Sequence, residues 1–279
     1  MTGKNKTLII LGMHRSGTSL IAHWLYNCGL EIGARLLGPG LGNSEGHFED
    51  MDFYKLHLEI LRENGLHDSG IIYHAPLKIE SIHKEKIKNL VASKCEQFAQ
   101  WGWKEPRTCL YLNVYREILP DAHYLIIFRY YNAVVISLLK RSFAEIDAKY
   151  ESTKRGFFSK LAWRKIRKKL VFRKFCYQHA DEFLKVWIFY NEQIIKNIKT
   201  LPSEKYLVLN YSVLINNDTE IISQLVNNWN FSLSYSKFSE IFNQSLFSKP
   251  FNIDIYIKDK QLLARANQLS NSLIGYVKN

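Results

Sequence analysis

An α/β fold built on a buried, mostly parallel sheet is predicted by three observations. Four short segments read as strands: Thr7–Gly12, Trp101–Lys104, His123–Phe128 and Lys205–Asn210. Helical periodicity fills the intervals, as in Ile79, Ile82, Ile87, Leu90, Val91 and Phe98, and again in Phe183, Val186, Trp187, Tyr190, Ile194 and Ile198. The strand segments are continuous apolar runs, not alternating ones, which is the pattern of strands covered on both faces. No internal repeat and no Pro/Gly/Ser-rich linker interrupts the chain, so a single domain over residues 1–279 is expected.

The first strand element is the most informative. Thr7 to Leu11 is apolar and β-branched, Gly12-Met13-His14-Arg15-Ser16 is a short turn, and an amphipathic helix opens at Gly17-Thr18-Ser19-Leu20, continuing through Ile21, Leu25 and Cys28. Strand, small-residue turn and helix start form an anion cradle: backbone N–H groups converge and the helix N-terminus carries about half a positive charge. Arg15 and the hydroxyls of Ser16, Thr18 and Ser19 add donors. The spacing from Gly12 to Gly17 fits a nucleotide P-loop, but Thr18 stands where that loop has its lysine, and the cation sits at Arg15 instead. An arginine fork binds a phosphoryl or sulfuryl group without a metal. The plainer alternative is a tight turn whose small residues only cap the helix.

Composition sets the frame. The 279 residues are 47% hydrophobic and 14% aromatic, as in a folded chain, and the net charge of +12 points to an anionic ligand, polymer or membrane surface. Cys28, Cys95, Cys109 and Cys176 are scattered and form no metal-spaced cluster with histidine, so free thiols and no metal are expected. No secretory signal is read, and the stretch Tyr124–Leu139 is broken by Arg129 and Asn132, too short and polar to span a bilayer. A cytoplasmic location follows, with peripheral contact at the inner face of the membrane left open.

Two more motifs fall at strand ends, where ligands gather in parallel sheets. After His123–Phe128 comes Arg129, and eight residues later Ser137 lies on the next helix; together they can close on one phosphate. The alternative, and the better reading of this pair in isolation, is a surface arginine at a strand exit and an ordinary helical serine. Trp101-Gly102-Trp103-Lys104-Glu105-Pro106-Arg107-Thr108 ends another strand. Pro106 stops it, Thr108 is placed to cap the helix running through Leu110, Val114 and Ile118, and Lys104 and Arg107 are expected on the same rim as Arg15 and Arg129.

These residues carry a family resemblance. The chain resembles the sulfotransferases that use 3′-phosphoadenosine 5′-phosphosulfate (PAPS), especially bacterial members acting on carbohydrate or related acceptors. Gly12 to Ser19 looks like the family's 5′-phosphosulfate loop, Phe128-Arg129 through Ser137-Leu138 like its 3′-phosphate motif, and Trp101–Thr108 like its W-K-[DE]-P-R-T segment. Leu207 to Leu214 is similar to the strand–turn written Y-E-D-L, although Asn210-Tyr211-Ser212-Val213 lacks its acidic pair; Tyr130-Tyr131 also departs from the polar residue and proline of many members. The resemblance implies a three-layer α/β/α, P-loop NTPase-like fold and PAPS as co-substrate. It places His14, Arg15, Ser16, Gly17, Thr18 and Ser19 at the 5′ end of the donor, Arg129 and Ser137 at its 3′-phosphate, and Lys104 or Arg15 on the bridging oxygen.

The proton acceptor stays open at this level. Phe48-Glu49 matches the aromatic–glutamate segment that follows the first helix in related enzymes. His47 competes because an imidazole titrates near neutrality, and Glu45 is a weaker option. Alternatively, Glu49, Asp50 and Asp52 only favour the N-terminus of a second helix that starts near Met51. The run Gly38-Pro39-Gly40-Leu41-Gly42 follows no strand and is not a dinucleotide fingerprint.

Lys154 to Lys174 holds ten cations and no acid, interleaved with Phe157, Phe158, Leu161, Trp163, Ile166, Leu170, Val171 and Phe175. A helical segment at about 150–178 is expected, and a helical C-terminal region at about 218–279, with Ser245–Asn252 suggested beside the acceptor. The basic segment is either a solvated helix with a core-facing apolar side or a surface for an anionic glycan or membrane. No nucleic-acid-binding signature is present. A non-catalytic polyanion- or membrane-binding protein and a magnesium-dependent nucleotide kinase are the competing classes. The acceptor and the oligomeric state are not legible.

Overall fold

Four strands pair in parallel in the order β2-β1-β3-β4: β1 Lys6–Leu11, β2 Gln100–Lys104, β3 His123–Phe128 and β4 Tyr206–Asn210. Each lies within one residue of its predicted bounds, and every pairing is parallel, not merely most of them. The computed structural model describes residues 5–40, 46–73, 77–153, 160–161, 163–242 and 251–277, and for 211–215 the backbone alone. Glu45, the opening of the basic segment from Lys154 to Phe158, and Ser245 to Pro250 lie outside the described residues.

Helices α1 (Thr18–Asn27), α2 (Met51–Glu63) and α3 (Ser81–Gln97) link β1 to β2. A short 3₁₀ segment, Pro106–Leu110, and α4 (Leu112–Ile118) lead to β3. Helix α5 (Tyr131–Ser152), a π-helical turn at Trp163–Arg167 and the long α6 (Lys168–Ile198) return the chain to β4. Beyond it, α7 (Tyr211–Ser223) is kinked at Asn217 and α8 (Lys260–Ile274) closes the described chain. Among the described residues between them lie π and 3₁₀ turns and extended segments, where helix was expected.

The unbroken apolar strands are explained by two cores. Ile9, Leu11, Tyr124, Ile126, Phe128 and Val208 face a large cluster shared with α2, α4, α5, α6 and α8. Leu8, Ile10, Leu125, Ile127, Leu207 and Leu209 face a smaller one built by α1, α7, Trp229, Phe231 and Phe238. The result is three layers, α/β/α. Register sets Ile10 beside Lys104, Leu11 beside Ile126 and Phe128 beside Asn210, so all four carboxyl ends share one edge.

Helix α2 is anchored twice. Asp50 caps it by accepting from the Asp52 amide at 2.8 Å and also receives the buried Lys94 ammonium of α3 at 2.7 Å. One turn on, Phe53 stacks on Trp103 of β2 with centroids 4.3 Å apart and planes 2° from parallel. Phe53 is fully buried, so Phe53→Ala removes the aromatic layer between helix and sheet. We expect it to cost about 3–5 kcal/mol, read as a fall in the denaturant midpoint, while Phe53→Leu retains most of the stability.

Candidate functional site

The loop after β1 is shaped by its backbone. A Cβ on Gly12 would stand 2.6 Å from the Thr18 methyl and 2.7 Å from the Ile127 carbonyl, so only glycine lets β1, β3 and α1 approach so closely. Arg15 adopts φ 69° and Gly17 φ 95°. Left-handed residues within a short turn rotate successive N–H groups to one side, a nest for an anion. Gly17 is the N-cap of α1, with no side chain capping it and no acid in the first turn. The helix therefore presents its first N–H groups and its positive end to whatever occupies the loop.

The β3 exit joins this loop. Arg129 donates from Nη1 to the Arg15 carbonyl at 3.0 Å, and Arg15 Nε donates to Ser137 Oγ at 2.8 Å. The Arg129 carbonyl accepts from the Trp187 indole of α6 at 3.1 Å, which fixes the strand end. Burial, then the charges of Arg141 and Arg129, lower the Arg15 guanidinium to about 10. It stays charged at neutral pH in a cluster of like charges that a bound anion would relieve.

From β2, Lys104 reaches the same edge. Its side chain is almost fully buried, and Nζ donates to Glu49 Oε1 at 2.8 Å and to Ser19 Oγ, in the first turn of α1, at 3.1 Å. A lysine thus arrives at the helix start from the neighbouring strand where the loop itself has Thr18. Glu49 precedes the Asp50 cap, so helix α2 positions it.

His47 belongs to the same neighbourhood. Burial lowers its pKa, Glu49 opposes that, and Lys104, Arg141 and Arg15 lower it further, leaving a neutral imidazole at pH 7. His14 instead turns inward, its ring edge-on to Tyr190 at 5.9 Å; burial foremost, and then Arg107, push its pKa well down. Ser16 and Thr18 are buried in the loop wall.

Two expectations are corrected. Arg107 does not stand on the rim: it is buried, ion-paired with Glu105, and donates to the Asp68 carbonyl at 2.6 Å. Nor does Thr108 cap the following helix. Glu105 caps the 3₁₀ turn by accepting the Arg107 amide at 2.9 Å, and the Thr108 hydroxyl accepts from the Trp103 indole at 3.1 Å. A carboxylate buried by the sheet needs every partner it can find. Glu105 also binds His57 Nδ1, whose Nε2 lies 2.7 Å from the Tyr115 hydroxyl. This network lies one residue past Lys104 and holds the β2 tip.

Arg141 was missed. Its signal was present: it follows Ser137 by four residues on α5, hence shares its helix face. It is the charged group common to the lowered pKa values of His14, Arg15 and His47. Glu59, Glu63 and His83, with ligand atoms all within 4.8 Å, were also unforeseen, because the packing of α2 against α3 brings them together and their spacing along the chain does not. Lys86 pairs with Glu59 there and supplies a charge of its own.

No protein-family model matches the chain, and no curated protein sequence matches it. Among solved structures, the sulfotransferase domain from the curacin biosynthetic pathway superposes with a TM-score of 0.51 over 95% of this chain and 98% of its own, at 14% identity. The sulfotransferase domain of the Synechococcus PCC 7002 olefin synthase aligns at TM-score 0.48 and 14% identity, covering 99% of this chain and 97% of that one. Sulfotransferase STF9 from Mycobacterium avium aligns at 0.48 and 11%, covering 99% and 69%. The chain has the sulfotransferase fold, α/β with a parallel sheet between helical layers. Of these three structures, the curacin-pathway domain carries this assignment.

The Glu105 network has a pH signature. Burial alone would raise the Glu105 pKa, but Arg107 and His57 outweigh it and hold it far below its ordinary value of 4.5. The folded state therefore binds its proton less readily than the unfolded one, and the stabilisation is present above about pH 4.5 and lost as pH falls below it. Glu105→Gln leaves the buried Arg107 without its counter-charge and His57 without its carboxylate partner, an expected loss of about 3–5 kcal/mol at neutral pH. Denaturant midpoints measured from pH 7 down to 3 check both parts: the variant starts lower and falls less steeply.

Proposed function

We propose that this chain is a sulfotransferase that moves a sulfuryl group from PAPS to a hydroxyl, with a carbohydrate (polysaccharide, glycolipid or lipid-linked glycan) as the acceptor class. The carrying observation is the joint between Arg15, Ser137 and Arg129, which brings the β1 loop and the β3 exit together at one edge of the sheet. A donor phosphorylated at both its 3′ and 5′ positions needs two anion sites at neighbouring strand tips. A singly phosphorylated nucleotide needs one.

In this reading the uncapped start of α1, from Ser16 to Ser19, with Arg15, holds the 5′-phosphosulfate. Arg129 and Ser137 hold the 3′-phosphate, and Arg141 adds charge on the same helix face. The acceptor oxygen attacks sulfur, the bond from sulfur to the bridging oxygen breaks, and 3′-phosphoadenosine 5′-phosphate leaves. Lys104 offsets the charge that grows on the leaving oxygen; a donor so preorganised is commonly the largest catalytic contribution. Glu49, held by Lys104 at 2.8 Å, takes the acceptor's proton. His47, neutral and nearby, is the second candidate for that role. Arginine and lysine supply the positive charge, so the reaction as drawn needs no metal ion.

Calorimetry with 3′-phosphoadenosine 5′-phosphate against AMP tests the donor. Each charge-assisted hydrogen bond is worth about 1.5–3 kcal/mol, so the bisphosphate should bind at least about 100-fold tighter, and Arg129→Ala should erase most of that preference. Equal weak binding of both, or magnesium-dependent binding of ATP, would remove the proposal in favour of a polyanion-binding protein or a kinase. Transfer assays with PAPS test the chemistry. Lys104→Met is expected to lower kcat by about 10²–10³-fold and Glu49→Gln by about 10²–10⁴-fold. A larger loss in His47→Gln than in Glu49→Gln would reassign the base.

A further inference from the structure

The basic segment was expected either to bury its apolar side or to offer it to a partner, and the structure separates its residues. Trp163 is buried, stacked on Tyr150 at 3.9 Å and donating to Asp147 at 2.9 Å. Arg164 makes two hydrogen bonds to Glu151, and Lys168 pairs with Asp147 at 2.5 Å. These residues fasten the segment to α5. Ile166 and Leu170, in contrast, are 63% and 58% exposed, and Val171 and Tyr177 also face solvent.

Ile166, Leu170 and Tyr177 recur at intervals of four and seven residues, which is one stripe along the π turn and the first turns of α6. Lys165, Arg167, Lys169, Arg173 and Lys174 flank it, all exposed, and among the described residues none of the five forms an ion pair. Scattered exposed apolar residues are ordinary. A stripe of them flanked by five cations between Lys165 and Lys174, with only its Tyr177 end resting on Tyr256, is the amphipathic pattern of a helix lying in the headgroup region of an anionic bilayer.

We propose that the outward face of residues 165–177 docks on an anionic membrane surface, Ile166, Leu170 and Tyr177 entering the interface and the five cations meeting lipid phosphate and carboxylate groups. An acidic polysaccharide would use the cations alone, and nothing in its chemistry rewards Ile166 or Leu170 for standing in water. Helix α5 carries Ser137, which bonds Arg15, near its start, and Asp147 and Glu151, which hold the inner side of this segment through Trp163 and Arg164, near its end. The docking proposal does not depend on sulfuryl transfer.

Cosedimentation of the full chain with vesicles of phosphatidylcholine containing phosphatidylglycerol, against phosphatidylcholine alone, tests it. Binding to the anionic vesicles is expected, weakened about tenfold or more by Ile166→Ser/Leu170→Ser and by Lys169→Glu/Arg173→Glu. Retention on heparin should survive the first pair and fall with the second. Thermal melts of both variants should match the parent, because all four side chains are exposed. Absence of binding to anionic vesicles overturns the proposal. So does vesicle binding that ignores Ile166→Ser/Leu170→Ser while tracking heparin retention, which would mark a polyanion surface instead.

Discussion

The hydrogen bond from Arg15 to Ser137, with Arg129 closing on the Arg15 carbonyl, is the contact from which the site is organised. It joins residues more than a hundred positions apart, and it exists because β1 and β3 are neighbours in the sheet. The parallel register brings both strand ends to one edge, and the left-handed turn at Arg15 sends its carbonyl toward one strand exit and its guanidinium toward the next helix. Arg15, Arg129 and Arg141 repel one another there, and burial foremost, then those two neighbouring charges, lowers the Arg15 guanidinium. Proteins tolerate such crowding where an anion is due to arrive.

The second constraint is the buried pair of Lys104 and Glu49. Two charges removed from water are costly unless each is fully engaged. Two of the three Lys104 donors are engaged, by a carboxylate and a hydroxyl, and the cap at Asp50 and the stacking of Phe53 on Trp103 support both partners. Below them, Glu105 with Arg107 and His57 stiffens the turn that ends β2. A flexible lysine would sample several anions. One pinned on both sides holds its charge at a single point beside the start of α1, which is what the role proposed for it requires.

What was legible follows from how locally each feature is encoded. Strands buried on both faces announce themselves as unbroken apolar runs, so all four lay close to their expected positions. The loop was legible because glycine spacing and the misplaced cation are properties of eight adjacent residues. Arg107 was misread because exposure is not local. Whether a charge faces water or the core depends on what the fold stacks over it, here Asp68, Tyr54 and Glu105. Arg141 escaped because an arginine a turn past a motif looks like any solvated helix residue until neighbouring strands bring Arg15 beside it. The pairing of Lys104 with Glu49, 55 residues apart, was invisible for the same reason, though each had been named for the site.

The basic segment shows the same limit from the other side. Its composition permits two opposite arrangements, apolar side inward or outward, and only the acids of a different helix decide. Asp147 and Glu151 on α5 take up Arg164 and Lys168 and hold Trp163 inward. That attachment uses one side of the segment and leaves Ile166 and Leu170 on the other. Because α5 also carries Ser137 and Arg141, the helix whose start bonds the β1 loop is the one whose end fastens the segment bearing the outward stripe. A soluble sugar acceptor has no use for that coupling. An acceptor anchored in lipid does, since docking would hold its hydroxyl at a fixed height from the loop, replacing a search through solution by a search in a plane.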